Sequence, residues 1–173
     1  MIMERPEETE QGPHYRVRAA ADGSDPTETR VVVGIDGSET SWDAFCWACG
    51  ETRRLGGRAV AVFVGPTPGA ASAAAAVSLT GAVVAYGAIQ QSMTDRVEEL
   101  SDQVRAYGYD HGVDVTFVRT QGNTARELLR IANADRADLL VVGRSTKARH
   151  HLAGSLGRRL VGRPGAPIIV VVP

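Results

Sequence analysis

The stretch RVVVGIDGSETSWDAFCWA, from Arg30 to Ala48, changes character twice. Arg30 to Ile35 is a run of mostly β-branched apolar residues, whose stiff side chains favour a pleated backbone. Asp36 and Gly37 then read as a turn, in which the carboxylate caps local amides and the glycine takes a backbone that other residues resist. Ser38 to Thr40 reads as a helix entry. From Ser41 to Leu55, Trp42, Phe45, Cys46 and Cys49 recur at i, i+3, i+4 and i+7, which is the spacing of a helical core stripe. Gly56 and Gly57 supply a left-handed stop. A buried strand leading into a helix is half of a βαβ unit, and the rest of the chain repeats the alternation.

Further short runs are AVAVFV (Ala59 to Val64), DVTFVRT (Asp114 to Thr120), DLLVVG (Asp138 to Gly143) and PIIVVV (Pro167 to Val172). Three of the five runs are apolar almost throughout, as parallel strands covered on both faces are. Helical patterns lie between them. One runs from about Ala85 to His111 and stops at Gly112. Another, Thr124 to Ala134, opens with TARE, read as a capping box of Thr124 and Glu127. The last runs from about Leu152 to Arg163 and stops before Pro164. This alternation predicts an α/β protein with a doubly wound, five-stranded parallel sheet. Such sheets bind ligands beyond the carboxyl ends of their strands. The candidate positions are therefore Asp36, Gly37 and Ser38, then Gly65 and Pro66, then Gly143 to Ser155.

At 173 residues and 43% hydrophobic content the chain supports one core. Its net charge of -1 argues against a whole-protein polyanion binder. The charge is uneven, however: from Leu139 onward there are Lys and Arg but no Asp or Glu. Residues 1–28, acidic and poor in large apolar side chains, read as a disordered tail, with the folded domain over residues 29–173. The alanine-rich stretch after Pro66 and Pro68 reads as a connection merging into a helix. With no run of about 18 apolar residues and no signal-peptide pattern, the expectation is a cytoplasmic protein without a membrane segment.

Familiar phosphate-binding fingerprints are missing: there is no G-x-x-x-x-G-K-[ST] and no G-x-G-x-x-G. What the sequence offers instead is VVGRSTKARHHLAGSLGRRL, Val141 to Leu160, a glycine-bracketed loop with five Arg and Lys residues.

Here the chain resembles the universal stress protein family. VVVGIDGSETSWDAFCWA resembles that family's opening strand, its Asp-x-Ser turn and its first helix. ADLLVVG, the Gly154-Ser155 pair and APIIVVVP resemble its closing half, in the same order. The resemblance implies an adenine nucleotide alpha hydrolase-like fold with strand order 3-2-1-4-5. It also implies a homodimer in which the last strands of two subunits pair. In nucleotide-binding members the carboxylate after the first strand contacts adenine, which implies that role for Asp36, and the residue ending the second strand lines the adenine pocket, which implies Val64. Their phosphate loop reads G-x2-G-x9-G-[ST]. Against it, Gly143 holds the first position and Gly154-Ser155 the last, while Thr146 replaces the second glycine and two residues are missing before Gly154.

A β-branched residue resists both a positive φ and a close approach to phosphate. Losing two or three amide contacts of about 0.5–1.5 kcal/mol each weakens binding by roughly one to three orders of magnitude. Ser155 and Leu156 would still open a helix whose N-terminus favours an anion. The cations around them read equally well as a solvated helix face. The expectation is weak or absent binding of ATP or another adenine nucleotide, and the alternative is an ATP-binding switch with slow hydrolysis.

Cys46 and Cys49 are the chain's two cysteines and read as buried structural thiols, not as a redox or metal pair. His150 and His151 are adjacent, so their side chains diverge and read as solvated loop residues. No catalytic motif appears, and no metal site is expected. Nucleic-acid binding is disfavoured by the acidic tail and by the absence of aromatic residues near the basic segment. The sequence therefore reads as a non-enzymatic stress-response module that dimerises and binds protein partners of unknown identity. PIIVVVP is an uncharged run at an expected sheet edge, which a symmetric copy would cover. Charges at Ile169 and Val171 are expected to disrupt that pairing.

Overall fold

The computed structural model describes residues 28–67, 81–144, 156–161 and 165–173, with the backbone alone for 81–90. The expected tail lies outside the described residues except for Glu28, and of the alanine-rich stretch residues 68–80 lie outside them while its later part belongs to a helix that begins at Gly81. The elements are β1 (Arg30–Gly34), α1 (Glu39–Leu55), β2 (Arg58–Gly65), α2 (Gly81–His111), β3 (Asp114–Gln121), α3 (Thr124–Ala134), β4 (Leu139–Gly143), α4 (Leu156–Leu160) and β5 (Ile168–Val172). The strands form one sheet, ordered β3-β2-β1-β4-β5. Every pairing is parallel. This is the doubly wound sheet the alternation predicts.

The apolar runs follow from helices on both faces. Val31, Val33 and Ile35 pack with Ala59, Ala61 and Val141 against Phe45 and Ala48 of α1 and Leu100 and Val104 of α2. Val32, Val60, Val62, Leu140 and Val142 point the other way, against Leu128, Leu129 and Ile131 of α3 and Leu160 of α4. A strand that buries both alternating faces has no position for a polar side chain. The edge strands β3 and β5 are only partly covered, which is why charged and polar residues enter β3.

Helix ends show where local sequence reading held and where it failed. Ser38 caps α1 by accepting from Ser41 N–H, and Gly56, at φ 67°, stops it. Gly112, at φ 63°, stops α2 in the same way. The capping box is corrected: the cap of α3 is Asn123, whose Oδ1 accepts from Arg126 N–H. Glu127 instead accepts from Thr120 Oγ1 and Arg130 Nε, tying α3 to the end of β3. Asparagine competes well as a cap, and here it stands one residue before the threonine. On β5, Ile169 packs against the inner cluster while Ile168 and Val171 are exposed. A charge at Ile169 would therefore strike the core, and Val171 alone of the two probes the surface.

Candidate functional site

β1 lies between β2 and β4, so the chain winds away from it in both directions and leaves a crevice at the carboxyl ends of the strands. A cavity of about 470 Å³ occupies that crevice. Asp36 and Ser38 from the turn after β1, and Thr40 and Ser41 from the first turn of α1, line one part of it. Val64 closes β2, Gly122 to Thr124 follow β3, Gly143 ends β4, and Leu156 and Arg159 come from α4.

Five of the residues singled out from sequence, Asp36, Ser38, Val64, Gly143 and Leu156, thus meet in one cavity. Thr146, Gly154 and Ser155 lie outside the described residues, as do Lys147, Arg149, His150 and His151. The described arginines of the basic segment divide. Arg159 lines the main cavity, whereas Arg144 and Arg158 line a neighbouring groove of about 410 Å³ with Val161 and Val171.

Local hydrogen bonds fix the turn after β1. Asp36 Oδ1 accepts from Ser38 N–H at 3.0 Å and from Ser38 Oγ at 2.6 Å. Asp36 N–H donates to Ser41 Oγ at 3.3 Å, and Ser41 Oγ donates to the Ser38 carbonyl at 2.8 Å. Gly37, at φ 81°, makes the chain reversal possible. The carboxylate thus organises the helix entry and at the same time lines the cavity.

Gly143 is a glycine for a reason that needs no ligand. A Cβ there would stand 2.2 Å from the Thr40 carbonyl oxygen and 3.1 Å from Ser41 N. Its φ is not in the left-handed region. The end of β4 and the first turn of α1 approach so closely that any side chain would collide with backbone.

Sequence reading missed the loop after β3. Gly122, at φ 136°, donates its N–H to the Gly65 carbonyl at 3.0 Å, which places Asn123 and Thr124 at the cavity. The signal was present as QGNT directly after a strand, the same placement that drew attention to the ends of the first, second and fourth strands. In the sequence Arg159 is one of several cations in the C-terminal segment, because helical phase at a short C-terminal helix cannot be fixed from spacing alone.

The cysteines lie on the other face of the sheet, away from this cavity. Cys49 is 2% exposed, and burial, reinforced by Cys46, pushes its thiol up to about 12. Cys46 is only half-buried, so the expectation of two buried thiols holds for one. Interaction with Cys46, followed by burial, pushes the Tyr107 hydroxyl up to about 12. Trp42 is likewise half-buried, edge-on to Phe45 with ring centroids 5.5 Å apart. The fully buried stripe runs instead through Ala44, Phe45, Ala48, Cys49 and Thr52. Among the described residues no group of three or more His, Cys, Asp or Glu could hold a metal ion, and no helix is long and apolar enough to cross a membrane.

Comparison with solved structures returns the same architecture. A universal stress protein from Lactobacillus plantarum aligns with a TM-score of 0.66 at 17% identity, covering 86% of this chain and all of the other. A universal stress protein in complex with cAMP aligns at 0.63 and 18% identity, covering 85% of this chain and 98% of that one. One from Archaeoglobus fulgidus in complex with dAMP aligns at 0.57 and 14% identity, covering 85% and 99%. These identities establish a shared fold and nothing finer. No curated protein sequence matches significantly. The family model described as "Universal stress protein family" matches residues 28–172, nearly the whole chain, and the chain therefore belongs to the universal stress protein family.

Proposed function

We propose that this chain is a non-enzymatic regulatory module of the stress-response type, acting as a dimer, whose cavity binds an adenine mononucleotide weakly and does not grip ATP through its phosphate chain. The cavity itself carries this reading. It sits at the switch point between β1 and β4, its volume falls within the ordinary range for small-molecule sites, and Asp36 and Val64 line it. Structural relatives in complex with cAMP and dAMP support the choice of ligand class. Weakness follows from the loop, where Thr146 stands in place of a glycine and two residues are missing before Gly154. It follows also from Gly143, whose lack of a side chain is already required by the contact with Thr40.

Calorimetric titration of the nucleotide-stripped protein with AMP and ATP, with and without magnesium, tests this. The expected result is weak binding of AMP with no large gain for ATP or for magnesium. Micromolar ATP affinity abolished by Ser155→Ala would overturn it and make the chain an ATP-binding switch.

Dimerisation is supported by β5, an edge strand on which Ile168 is 68% and Val171 46% exposed. An uncharged, partly apolar edge is normally covered, and a symmetric copy covers it without a second partner. Light scattering on the same preparation should give twice the chain mass, and Val171→Glu should reduce it.

A further inference from the structure

We propose that Arg159 reads the ligand's phosphate, so that the cavity selects a singly phosphorylated adenine nucleoside over the bare nucleoside. This rests on the mononucleotide reading above and goes beyond it by assigning the anion contact to one side chain of α4.

The argument begins with charge. Among the described residues lining the cavity, Asp36 is the one carboxylate and Arg159 the one cation, and they come from different elements. Asp36 Oδ1 is engaged by the N–H and hydroxyl of Ser38, so its charge is partly spent on the turn. Arg159 is exposed, and among the described residues no hydrogen bond or ion pair holds its guanidinium. Its neighbours in sequence carry no acid: none occurs from Leu139 to the end of the chain. Arg144 and Arg158 line the adjoining groove instead, so Arg159 is the described basic side chain that serves this cavity.

The backbone alternative is weak at the described positions. Gly143 abuts the Thr40 carbonyl, and a glycine pressed against helix backbone is held there by packing. Leu156 opens a helix of only five residues, whose aligned peptide dipoles are few. A phosphate in the cavity would therefore gain most from a side-chain donor. A guanidinium offers two parallel N–H donors to phosphate oxygens and stays charged at all relevant pH.

Parallel titrations of adenosine and AMP into the wild-type protein, Arg159→Ala and Arg159→Lys read this directly. Hydrogen bonds between charged groups predict that the wild type prefers AMP by roughly 10- to 100-fold. In R159A the ratio of the two affinities should fall to about one. In R159K it should lie between, since lysine keeps the charge and loses the fork. The wild-type preference should also shrink between low and high salt. A preference for AMP that survives in R159A would overturn the assignment while leaving the mononucleotide reading standing. Failure of the wild type to bind either ligand would remove that reading and the assignment together. Should R159A fold poorly, an R159K ratio equal to the wild type's would still count against a guanidinium-specific contact.

Discussion

The two ends of the sheet treat polar groups in opposite ways. At the amino end, charged residues turn on one another. Arg30 N–H donates to Asp138 Oδ2 at 2.9 Å, the Arg30 guanidinium donates to the Asp135 carbonyl at 3.1 Å, and Arg58 pairs with the Asp135 carboxylate. Glu28 stands 4.0 Å from Arg58. Arg30 and Asp135 are buried there. At the carboxyl end, Asp36, Asn123 and Arg159 border a cavity, and the first two serve helix entries while the third is uncommitted among the described residues. The same parallel strands produce both ends, so the difference lies in the connections. Short returns into β2 and β4 pull charges together below the sheet, whereas the turns leaving the strands splay around the crevice above it. Polar residues at the lower end tie the strands together, and those at the upper end cap helices and border the cavity.

The sharpest break in that contrast would come at Asp135. Burial raises its carboxyl above the ordinary range despite the attraction of Arg58 and Arg30. The folded state therefore holds this proton more tightly than the unfolded chain does. The advantage is fully present below the unfolded carboxylate's range and is lost as pH rises through the folded one, so at neutral pH the ionised group carries a burial penalty. Removing it is nonetheless costly, because two arginines would lose their counter-charge. Asp135→Ala is expected to lower stability by about 3 kcal/mol, as breaking a buried pair does. Asp135→Asn should cost less, since it keeps an acceptor and sheds the charge. Urea unfolding at neutral pH measures both. A loss below about 0.5 kcal/mol for the alanine variant would put the amino-end cluster on a par with ordinary surface charges.

Gly143 tests the upper end. Adding a Cβ 2.2 Å from the Thr40 carbonyl oxygen forces β4 and α1 apart, and overpacking of this kind costs about 1–3 kcal/mol. Gly143→Ala should therefore lower the urea midpoint with no nucleotide present. If the variant is as stable as the parent, the close approach is not a constraint, and the glycine is free to serve a phosphate in the way the family loop pattern implies.

Much of this was legible in the sequence because the central strands bury both faces. VVVGI after Arg30, and AVAVFV, contain no polar side chain, so period and composition identify them together. Glycine stops at Gly56 and Gly112 were legible for the same kind of reason, a backbone conformation that selects its residue. Part of the cavity wall was legible by position, since Asp36, Ser38 and Gly143 end or follow strands in a fold whose strand ends converge, whereas Val64 was reached through the family resemblance. What failed were choices among chemically similar neighbours. Asn123 and Thr124 are both good caps one residue apart, and Trp42 and Cys46 share a helical face whose outer margin is wet. Direction was the other limit: nothing in GRRL tells which arginine faces the crevice, and only the packing of Leu160 into the core on the α3 side of the sheet decides it.

The smallest effect concerns a position where sequence and backbone disagree. Arg136 follows the C-cap of α3 with φ 52°, the one positive-φ residue other than glycine among those described. Its N–H donates to the Asn133 carbonyl at 3.2 Å, and Ala137 N–H reaches the Ala132 carbonyl at 2.8 Å, which closes the helix in the manner usually given to glycine. A side chain in that conformation crowds its own carbonyl, at a cost of about 1 kcal/mol. Arg136 is exposed, and among the described residues its guanidinium has no partner, so the charge gives nothing back locally. Arg136→Gly should therefore raise stability by about 0.5–1 kcal/mol, the gain in backbone fit being offset in part by glycine's greater freedom when unfolded. A gain means that the left-handed backbone strains the arginine, and a loss means that this strain is smaller than the cost of glycine's freedom in the unfolded chain.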